Sequence, residues 1–509
     1  MERYRVSKFT AVILFSLASC WAPARPGSSV SVEQAILEKR SDFYAIDFDV
    51  YKKEVNHLPI GVFDSGTGGL TVLNTILEFD EHSNESKLSV PDGAPDFKQE
   101  TFIYLADQAN MPYGNYYAED KTSLLIEHII KDTQFLLSNK YYRDGASESF
   151  RSDKDPVKLI VVACNTATAY GIDNIRSFIK NSGSSIQVIG VIEAGAKGTL
   201  EVFEKDESGS IGVLATVGTI ASGGYEKTLR HLIKETGFTG KIDIFSQGGY
   251  GIAEAVDEEP DFIDHAARKP RQNYRGPSWD DPNYTIEKAL LDVYNFNGDG
   301  LLCDSREVGD CNIIQLNSAE NYVRYHLVSL LEKIRLSREA SPLKALLLGC
   351  THYPYLTTEI RKVLDELYNY RDGGHYIYRD MMSPDIKLID PAQNVARELH
   401  SFLKEHKSFN SGGDMLASEF YISVPNISNP NVQTDSAGRF TYEYKYGRVT
   451  GELQEYVKVV PFSKETISGE TLARLKEQIP TTYNIITYFN KYSPKTAHLR
   501  DVENPLVIR

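Results

Sequence analysis

Short apolar segments that alternate with helical patterns set the strongest constraint on the fold of this chain. Helical periodicity follows several of these segments, as in Leu70–Phe79, Ser123–Asn139 and residues 318–337. Such alternation is typical of mainly parallel sheets that carry helices on both faces, with binding sites at the carboxyl ends of the strands. The predicted strands are Leu58–Phe63, Phe102–Leu105, Leu159–Ala163, Val188–Ile192, Ser210–Leu214, Ile242–Phe245 and Ala345–Leu348.

Two cysteines lie at such strand ends. Cys164 stands in VVACNTATAYG and Cys350 in LLLGCTHYPYL, and each precedes hydroxyl residues and a helical segment. A thiol at a helix N-terminus meets a dipole and free N–H groups that favour the thiolate. Two such thiols suit a reaction that removes a proton from one side of a carbon and returns it on the other. The alternative is that each cysteine is only a small buried apolar residue.

Composition and charge narrow the class of protein. The chain has 509 residues, of which 41% are hydrophobic and 25% charged, as expected of a globular protein with more than one domain. The formal net charge of −15 argues against nucleic acid as a partner. We expect a small-molecule ligand instead.

The N-terminus has the pattern of an export signal. Basic residues at positions 3, 5 and 8 precede an apolar run over residues 9–19 that is too short to span a bilayer. Small residues then precede Cys20, which is similar to a bacterial lipobox and implies cleavage before Cys20 with lipid attachment to its sulfur. An ordinary signal peptide with a chance cysteine is the alternative.

These features predict an exported lipoprotein that faces the periplasm or the cell exterior. Residues 1–20 would be its signal peptide, and residues 21–56 its tether. The lipid anchor would be its one attachment to a membrane. A cytoplasmic location is expected if the signal does not function.

Seven motifs occur in order between residues 58 and 396, separated by polar insertions. The motifs are IGVFDSGTGGLTVL, LADQANMPYGN, VVACNTATAYG, VIGVIEAG, IGVLATVGTIASGGY, LLLGCTHYP and LIDPAQNVA. The series resembles that of the glutamate racemases, which belong to the aspartate/glutamate racemase superfamily. The resemblance implies two similar doubly wound α/β domains with mainly parallel sheets, an active site in the cleft between them, and no cofactor.

The motif order predicts the domain boundaries. We expect a first domain over residues 57–185 and a second over residues 186–385, with a large surface insertion at 257–315. Residues 386–509 would return to the racemase fold and carry a further insertion near 405–450. The resemblance also implies a homodimer, although large insertions could block the usual interface.

The resemblance implies a mechanism with two bases. Cys164 would act on the D-enantiomer and Cys350 on the L-enantiomer, each from its own side of the substrate α-carbon. Asp64 and His352 match the supporting acid/base residues of the family. Asp64 could instead be a turn or cap residue, and His352 a packed histidine.

Substrate contacts are also implied by position. Tyr113 and Gly114 match the region around the side-chain carboxylate. Thr216 and Thr219 are interpreted as N-caps of the helix that follows them. The residues that match contacts to the α-carboxylate and the ammonium group are Ser65, Asn165, Thr166 and Thr351.

One wall of the predicted pocket departs from the family pattern. The segment FSQGGYGIAEAVDEEP lacks the expected prolines, and Asp257 falls roughly where a glutamate is usual. A strict preference for glutamate is therefore in doubt. Glu193 matches another family position, where it either supports the site or only orders a loop.

The insertion at 257–315 contains two further features. Cys303 and Cys311 are expected to form a disulfide in an exported protein, with two free thiols as the alternative. The loop around Asn295, Asn297 and Asp299 resembles the start of a calcium-binding loop. Because the acid expected at its twelfth position is missing, a polar turn without a metal is the preferred interpretation.

Together these features predict cofactor-independent interconversion of L- and D-glutamate. One alternative is a racemase or isomerase of aspartate or another amino acid. The other is an exported amino-acid-binding lipoprotein without turnover.

Overall fold

The computed structural model describes residues 31–39, 43–305, 308–337 and 339–501. The predicted signal peptide, including Cys20, lies outside the described residues. In the described part of the chain, no helix is both long and apolar enough to cross a membrane.

Ten strands of the described chain form two sheets. The first sheet has the order β10-β9-β2-β1-β3-β4 and the second has the order β8-β7-β5-β6. All neighbours are parallel except β9 and β10. In chain order the strands are β1 (Ile60–Asp64), β2 (Phe102–Ala106), β3 (Leu159–Val162), β4 (Gln187–Gly190), β5 (Gly209–Ala215), β6 (Ile242–Gly248), β7 (Leu343–Gly349), β8 (Met382–Ile389), β9 (Glu419–Pro425) and β10 (Val457–Pro461).

Helices connect these strands. Several begin at a residue whose side chain caps the first turn; Asp390, for example, accepts a hydrogen bond from Ala392 N at 3.0 Å, with Pro391 at the first helical position. The longer helices are α1 (Leu70–Glu78), α2 (Thr122–Leu137), α3 (Asn165–Asn181), α4 (Val191–Leu200), α5 (Gly224–Glu235), α6 (Ala319–Leu336), α7 (Thr357–Asn369), α8 (Pro391–Glu405), α9 (Gly469–Gln478) and α10 (Pro480–Tyr492).

The two sheets define two domains, each with its own core. The strands β1 and β2 are buried along their whole length, as expected of strands covered on both faces. In β7, Leu346 and Leu348 pack into one apolar cluster, whereas Ala345 and Leu347 pack into another on the opposite face. The predicted α/β fold with two mainly parallel sheets is therefore confirmed.

The boundary between the domains differs from the prediction. Strand β4 hydrogen-bonds to β3, with Val188 opposite Ile160, so it completes the first sheet and does not open the second. The last residues of β8, up to Ile389, belong to the second sheet. The chain returns to the first domain at α8.

The described part of the predicted tether is folded against the first domain. A helix at Val32–Leu37 is capped by Ser31, and its residues Val32, Ala35 and Ile36 are buried. Their i, i+3, i+4 spacing forms one apolar face, which accounts for the packing. The prediction of a tether is wrong for this segment.

The predicted insertion near 405–450 contains a core strand. Phe420, Tyr421 and Ile422 of β9 are buried, and Phe420 lies opposite Tyr104 of β2. The surrounding polar sequence concealed a strand that pairs with a partner more than 300 residues earlier.

Candidate active site

The Gly-rich turn after β1 buries a carboxyl group at the end of the first sheet. Asp64 is fully buried, and its Oδ2 accepts a hydrogen bond from Gly69 N at 2.7 Å. Burial raises the pKa of Asp64 despite this bond and the nearby His352. A Cβ atom at position 69 would lie 2.5 Å from Asp64 Cβ, so the close approach requires glycine.

The same turn contacts the second domain. A Cβ atom at Gly68 would lie 2.7 Å from both Thr351 Oγ1 and His352 Cε1. Thr351 Oγ1 donates to Asp64 Oδ2 at 3.4 Å, and Thr71 Oγ1 donates to the Thr351 carbonyl at 3.1 Å. Asp64 of the first domain and His352 of the second, the two predicted supporting acid/base residues, are therefore close to each other at this turn.

Cys164 caps the N-terminus of α3. Its Sγ accepts a hydrogen bond from Ala167 N at 3.4 Å and donates to Ser65 Oγ at 3.7 Å. Burial, together with the neighbouring Asp64 carboxyl, nevertheless raises the pKa of Cys164 well above its ordinary value. The N–H of Ala167 at the helix N-terminus does favour the thiolate, as expected, but burial and Asp64 outweigh it, so that Cys164 is a neutral thiol near neutral pH.

Cys350 follows β7 and faces an imidazole. Its Sγ lies 3.7 Å from His352 Nδ1, and His352 Nε2 lies 2.9 Å from Asp257 Oδ2. Burial opposes a charge on the ring, but Asp257 and, to a smaller extent, Cys350 together outweigh it and raise the pKa of His352 well above its ordinary value. A protonated ring donates to Asp257 through Nε2 and directs its Nδ1 proton at the sulfur.

Arg474 completes this chain of contacts from the first domain. Its Nη2 donates to Asp257 Oδ1 at 2.9 Å, and its Nη1 donates to the Val256 carbonyl. Although burial acts to raise the pKa of Asp257, His352 and Arg474 hold it below its ordinary value. No sequence motif pointed to Arg474, which lies 217 residues after its partner.

One cavity of about 460 Å³ brings the two cysteines together. Asp64 lies behind this surface, where Thr351 and Gly69 cover it. The predicted site residues that line the cavity are Ser65, Tyr113, Gly114, Cys164, Asn165, Thr166, Asp257, Cys350, Thr351 and His352.

Hydroxyl groups from both domains meet beside the cavity. Thr166 Oγ1 lies 3.1 Å from Thr216 Oγ1 and 3.2 Å from Thr219 Oγ1. Thr216 also caps the short helix Val217–Ser222 by accepting from Thr219 N at 3.2 Å. Its predicted role as an N-cap is thus confirmed, whereas Thr219 is a buried partner in the hydroxyl cluster.

The Tyr113–Gly114 turn presents backbone more than side chain to the cavity. The Tyr113 hydroxyl lies 2.6 Å from Asp107 Oδ2 and 2.7 Å from Asp132 Oδ2, which places it in the protein interior. A contact from this turn to a ligand would therefore come from the backbone. Asn165 is held by Tyr225, whose hydroxyl donates to Asn165 Oδ1.

The insertion at 257–315 also reaches the cavity, which the sequence did not indicate. Asp281, Pro282, Asn283 and Tyr284 line it, and the Tyr284 ring stacks on Tyr250 with centroids 4.3 Å apart. This insertion is part of the pocket wall and does not lie only on the surface.

Four other predicted residues, Glu193, Asn295, Asn297 and Asp299, lie outside the cavity. Glu193 does not line the cavity and pairs at 3.2 Å with Arg176. Asn295 donates through its amide to Glu366, and Asn297 caps its own turn by accepting from Asp299 N.

Cys303 and Cys311 form a disulfide, whereas Cys164 and Cys350 are free thiols. Two clusters of His, Cys, Asp and Glu side chains with metal-ligand spacing occur among the described residues, and Asp299 belongs to neither.

Comparison with known proteins gives relatives of one kind. No protein-family model matches the chain. The glutamate racemase of Lactobacillus johnsonii is 26% identical over 367 residues, which cover 72% of this chain and 89% of that protein. The glutamate racemase of Aquifex pyrophilus is 26% identical over 351 residues, or 69% and 85% of the two chains. A shorter match, to the glutamate racemase of Geobacter metallireducens, is 35% identical over 176 residues, or 35% and 48%.

Two solved structures are also similar. The glutamate racemase isoform RacE1 of Bacillus anthracis has a TM-score of 0.40 and 24% identity, with 72% of this chain and 87% of that chain covered. The glutamate racemase of Francisella tularensis in complex with D-glutamate has a TM-score of 0.40 and 20% identity, with 78% and 95% covered. The chain is therefore similar in sequence to glutamate racemases over most of their length, and its class of enzyme is an amino-acid racemase, which is an isomerase.

Proposed function

We propose that the protein interconverts L- and D-glutamate without a cofactor, with Cys164 and Cys350 as the two proton-transfer groups. The observation that carries this proposal is that two buried, free thiols from different domains line one cavity, each beside its own ionisable partner. Cys164 has Asp64, and Cys350 has His352.

The charged and buried surroundings of the two sulfurs favour one starting arrangement. The raised pKa of Cys164 makes it a proton donor, whereas Cys350 faces the positive charge of His352. In the L-to-D direction, Cys350 as thiolate takes the α-proton and becomes a thiol. Cys164 then gives its proton to the opposite face of the carbon and becomes a thiolate. Proton exchange with water through Asp64 and His352 restores both groups.

The carbanion formed between these steps requires stabilisation. Its electron pair spreads into the α-carboxylate, which gains charge as the proton leaves. We assign Ser65, Asn165 and Thr351 to this carboxylate and to the ammonium group. The backbone at Gly114, together with Thr166, is assigned to the side-chain carboxylate. These groups are fixed by the fold, so they need little reorganisation during the reaction.

Turnover of the purified protein tests this function. L-glutamate should lose its optical activity and reach a racemic mixture, and D-glutamate should reach the same end point. Cys164→Ala and Cys350→Ala should each abolish the reaction while the fold is retained. Absence of racemisation with glutamate, aspartate and other amino acids would refute the proposal, and tight binding without turnover would favour a binding protein.

The outer wall of the cavity supports a second candidate substrate class. The described residues that line the cavity include no Lys or Arg. They do include the acidic residues Glu254 and Glu259. Burial raises the pKa of Glu254 to about 7 and also raises the pKa of Glu259. This acidic wall favours an amino acid with a neutral or cationic side chain. Parallel assays with glutamate, glutamine and lysine would separate the two candidates.

We further propose export with lipid attachment at Cys20, based on the lipobox-like N-terminus. Cells grown with labelled palmitate should incorporate label into the wild type but not into a Cys20→Ala variant. Because an oxidising compartment could oxidise Cys164 and Cys350, activity should be compared with and without a reductant.

A further inference from the structure

We propose that Arg474, which belongs to the first domain, is a positioning residue for the Cys350 half of the site in the second domain. The inference rests on the proposed two-cysteine reaction. It adds that the second domain alone does not hold His352 in position beside Cys350, because Arg474 of the first domain is also required.

The contacts cross the boundary between the two cores. Helix α9 carries Arg474 and packs into the first domain through Leu472 and Leu475. Asp257 follows a short helix, Ile252–Val256, whose buried residues belong to the core of the second domain. The ion pair between Arg474 Nη2 and Asp257 Oδ1 therefore spans the cleft at 2.9 Å.

Arg474 fixes the carboxylate in two ways. It donates to Asp257 Oδ1 and to the carbonyl of Val256, the preceding residue, so both side chain and backbone are held. Its guanidinium also lies 5.4 Å from the centre of the Tyr355 ring. Asp257 Oδ2 is thereby left to His352 Nε2, and each carboxylate oxygen has a separate cationic partner.

The orientation of His352 follows from this arrangement. His352 Nδ1 faces Cys350 only while Nε2 is held by Asp257, since an imidazole has two ring nitrogens on opposite sides. Other ionisable groups near the pair include Asp64 from the first domain, Glu254 from the short helix before Asp257, Glu259 and Tyr355. None of these is hydrogen-bonded to the ring, so none replaces Asp257 as its anchor.

Without Arg474, Asp257 would keep its charge but lose its fixed position. The carboxylate could then turn toward the cavity, which it already lines, and His352 would lose both its orientation and part of its stabilising charge. Proton transfer at Cys350 should suffer, whereas proton transfer at Cys164 should not.

Isotope effects can detect this one-sided damage. The equilibrium constant of a racemisation is 1, so kcat/KM must have the same value in the two directions. The change in kcat/KM therefore cannot reveal which base is affected. The α-deuterium isotope effect on kcat/KM can, because it grows in the direction whose first proton abstraction has become limiting. A variant that only lowers the amount of folded protein leaves both isotope effects unchanged.

The experiment compares Arg474→Gln with the wild type, using α-deuterated L- and D-glutamate. We expect kcat/KM to fall about tenfold, which is less than the roughly 10²–10⁴-fold contribution of a complete general acid–base group, because His352 itself is retained. The isotope effect should rise for the L-substrate and fall for the D-substrate. Arg474→Lys should recover part of the rate. Lys476→Gln, an exposed change on the same helix, should leave all values unchanged.

Cys350 alkylation supplies a readout that does not need turnover. In a Cys164→Ala background, iodoacetamide should modify Cys350 more slowly at pH 7 after Arg474→Gln than after Lys476→Gln, because His352 is no longer held beside the sulfur. Equal alkylation rates, or isotope effects unchanged from those of the wild type, would overturn the role of Arg474. If the wild type does not racemise glutamate but Arg474→Gln still slows alkylation of Cys350, the proposed function is refuted and the role of Arg474 is retained.

Discussion

Asp257 and His352 are joined by a hydrogen bond of 2.9 Å between the carboxylate Oδ2 and the ring Nε2. This bond makes the two halves of the cavity electrically different. The Cys350 side contains a positively charged ring, whereas the Cys164 side contains a neutral thiol beside a buried carboxyl group. The asymmetry leads to the expectations that follow.

Removing the charge of Asp257 should move the pH profile of the reaction. The Asp257 carboxylate makes the largest contribution that raises the pKa of His352 against the effect of burial, and Cys350 adds to it. In Asp257→Asn the ring should therefore lose its proton at lower pH. We expect the alkaline limb of kcat/KM to shift to lower pH and the maximum to fall by about 10²-fold, measured by racemisation between pH 6 and 10. An unchanged alkaline limb would show that His352 does not titrate in this range.

Removing the charge of Asp64 should make Cys164 more reactive and the enzyme less active. The Asp64 carboxyl, after burial, is a cause of the raised pKa of Cys164, so Asp64→Asn should lower that pKa. In a Cys350→Ala background, iodoacetamide should alkylate Cys164 faster at pH 8 when Asp64 is replaced. Racemisation by the single Asp64→Asn variant should nevertheless fall, because the proton relay is lost. Slower alkylation would contradict the assigned electrostatics.

A methyl group at Gly68 should disturb the contact between the domains. The added Cβ would lie 2.7 Å from atoms of Thr351 and His352, far inside normal contact distance. We expect Gly68→Ala to destabilise the protein by about 1–3 kcal/mol and to reduce activity strongly. Gly298→Ala is the matched control, since no atom lies within 4 Å of its Cβ position. Denaturant unfolding and racemisation assays check both variants, and a fully active Gly68→Ala would contradict the packing.

The insertion at 257–315 should contribute to substrate binding. Tyr284 stacks on Tyr250 and lines the cavity, so Tyr284→Ala should raise KM with little effect on kcat. A stacked pair contributes about 0.5–1.5 kcal/mol, which corresponds to an increase in KM of up to about tenfold. Tyr488→Ala removes a comparable exposed pair with Tyr492 and should change neither parameter. An unchanged KM for Tyr284→Ala would place substrate away from the insertion.

The sequence was most informative where chemistry depends on neighbours along the chain. Apolar runs predicted the parallel strands, and the motifs around Cys164 and Cys350 predicted the two thiols of the cavity and the neighbouring groups of Asn165, Thr166, Thr351 and His352. It failed where contacts are long-range. Strand β9 was missed because its partner β2 lies more than 300 residues away, and Arg474 because it meets Asp257 only through domain contact.

The charge state of Cys164 shows the same limit. The helix that follows it favours a thiolate, and this local effect can be inferred from sequence. Burial and the Asp64 carboxyl, which comes from a strand 100 residues earlier, have the larger effect and reverse the prediction.

The most direct test is the fate of the α-hydrogen when L-glutamate is racemised in D2O. Two different proton-transfer groups should place solvent deuterium on the D-product while the remaining L-substrate keeps its hydrogen early in the reaction. This can be followed by proton NMR together with chiral separation. Deuterium in the product but not in the substrate is the predicted result. Hydrogen retained in the product, or no conversion at all, would contradict the two-cysteine account.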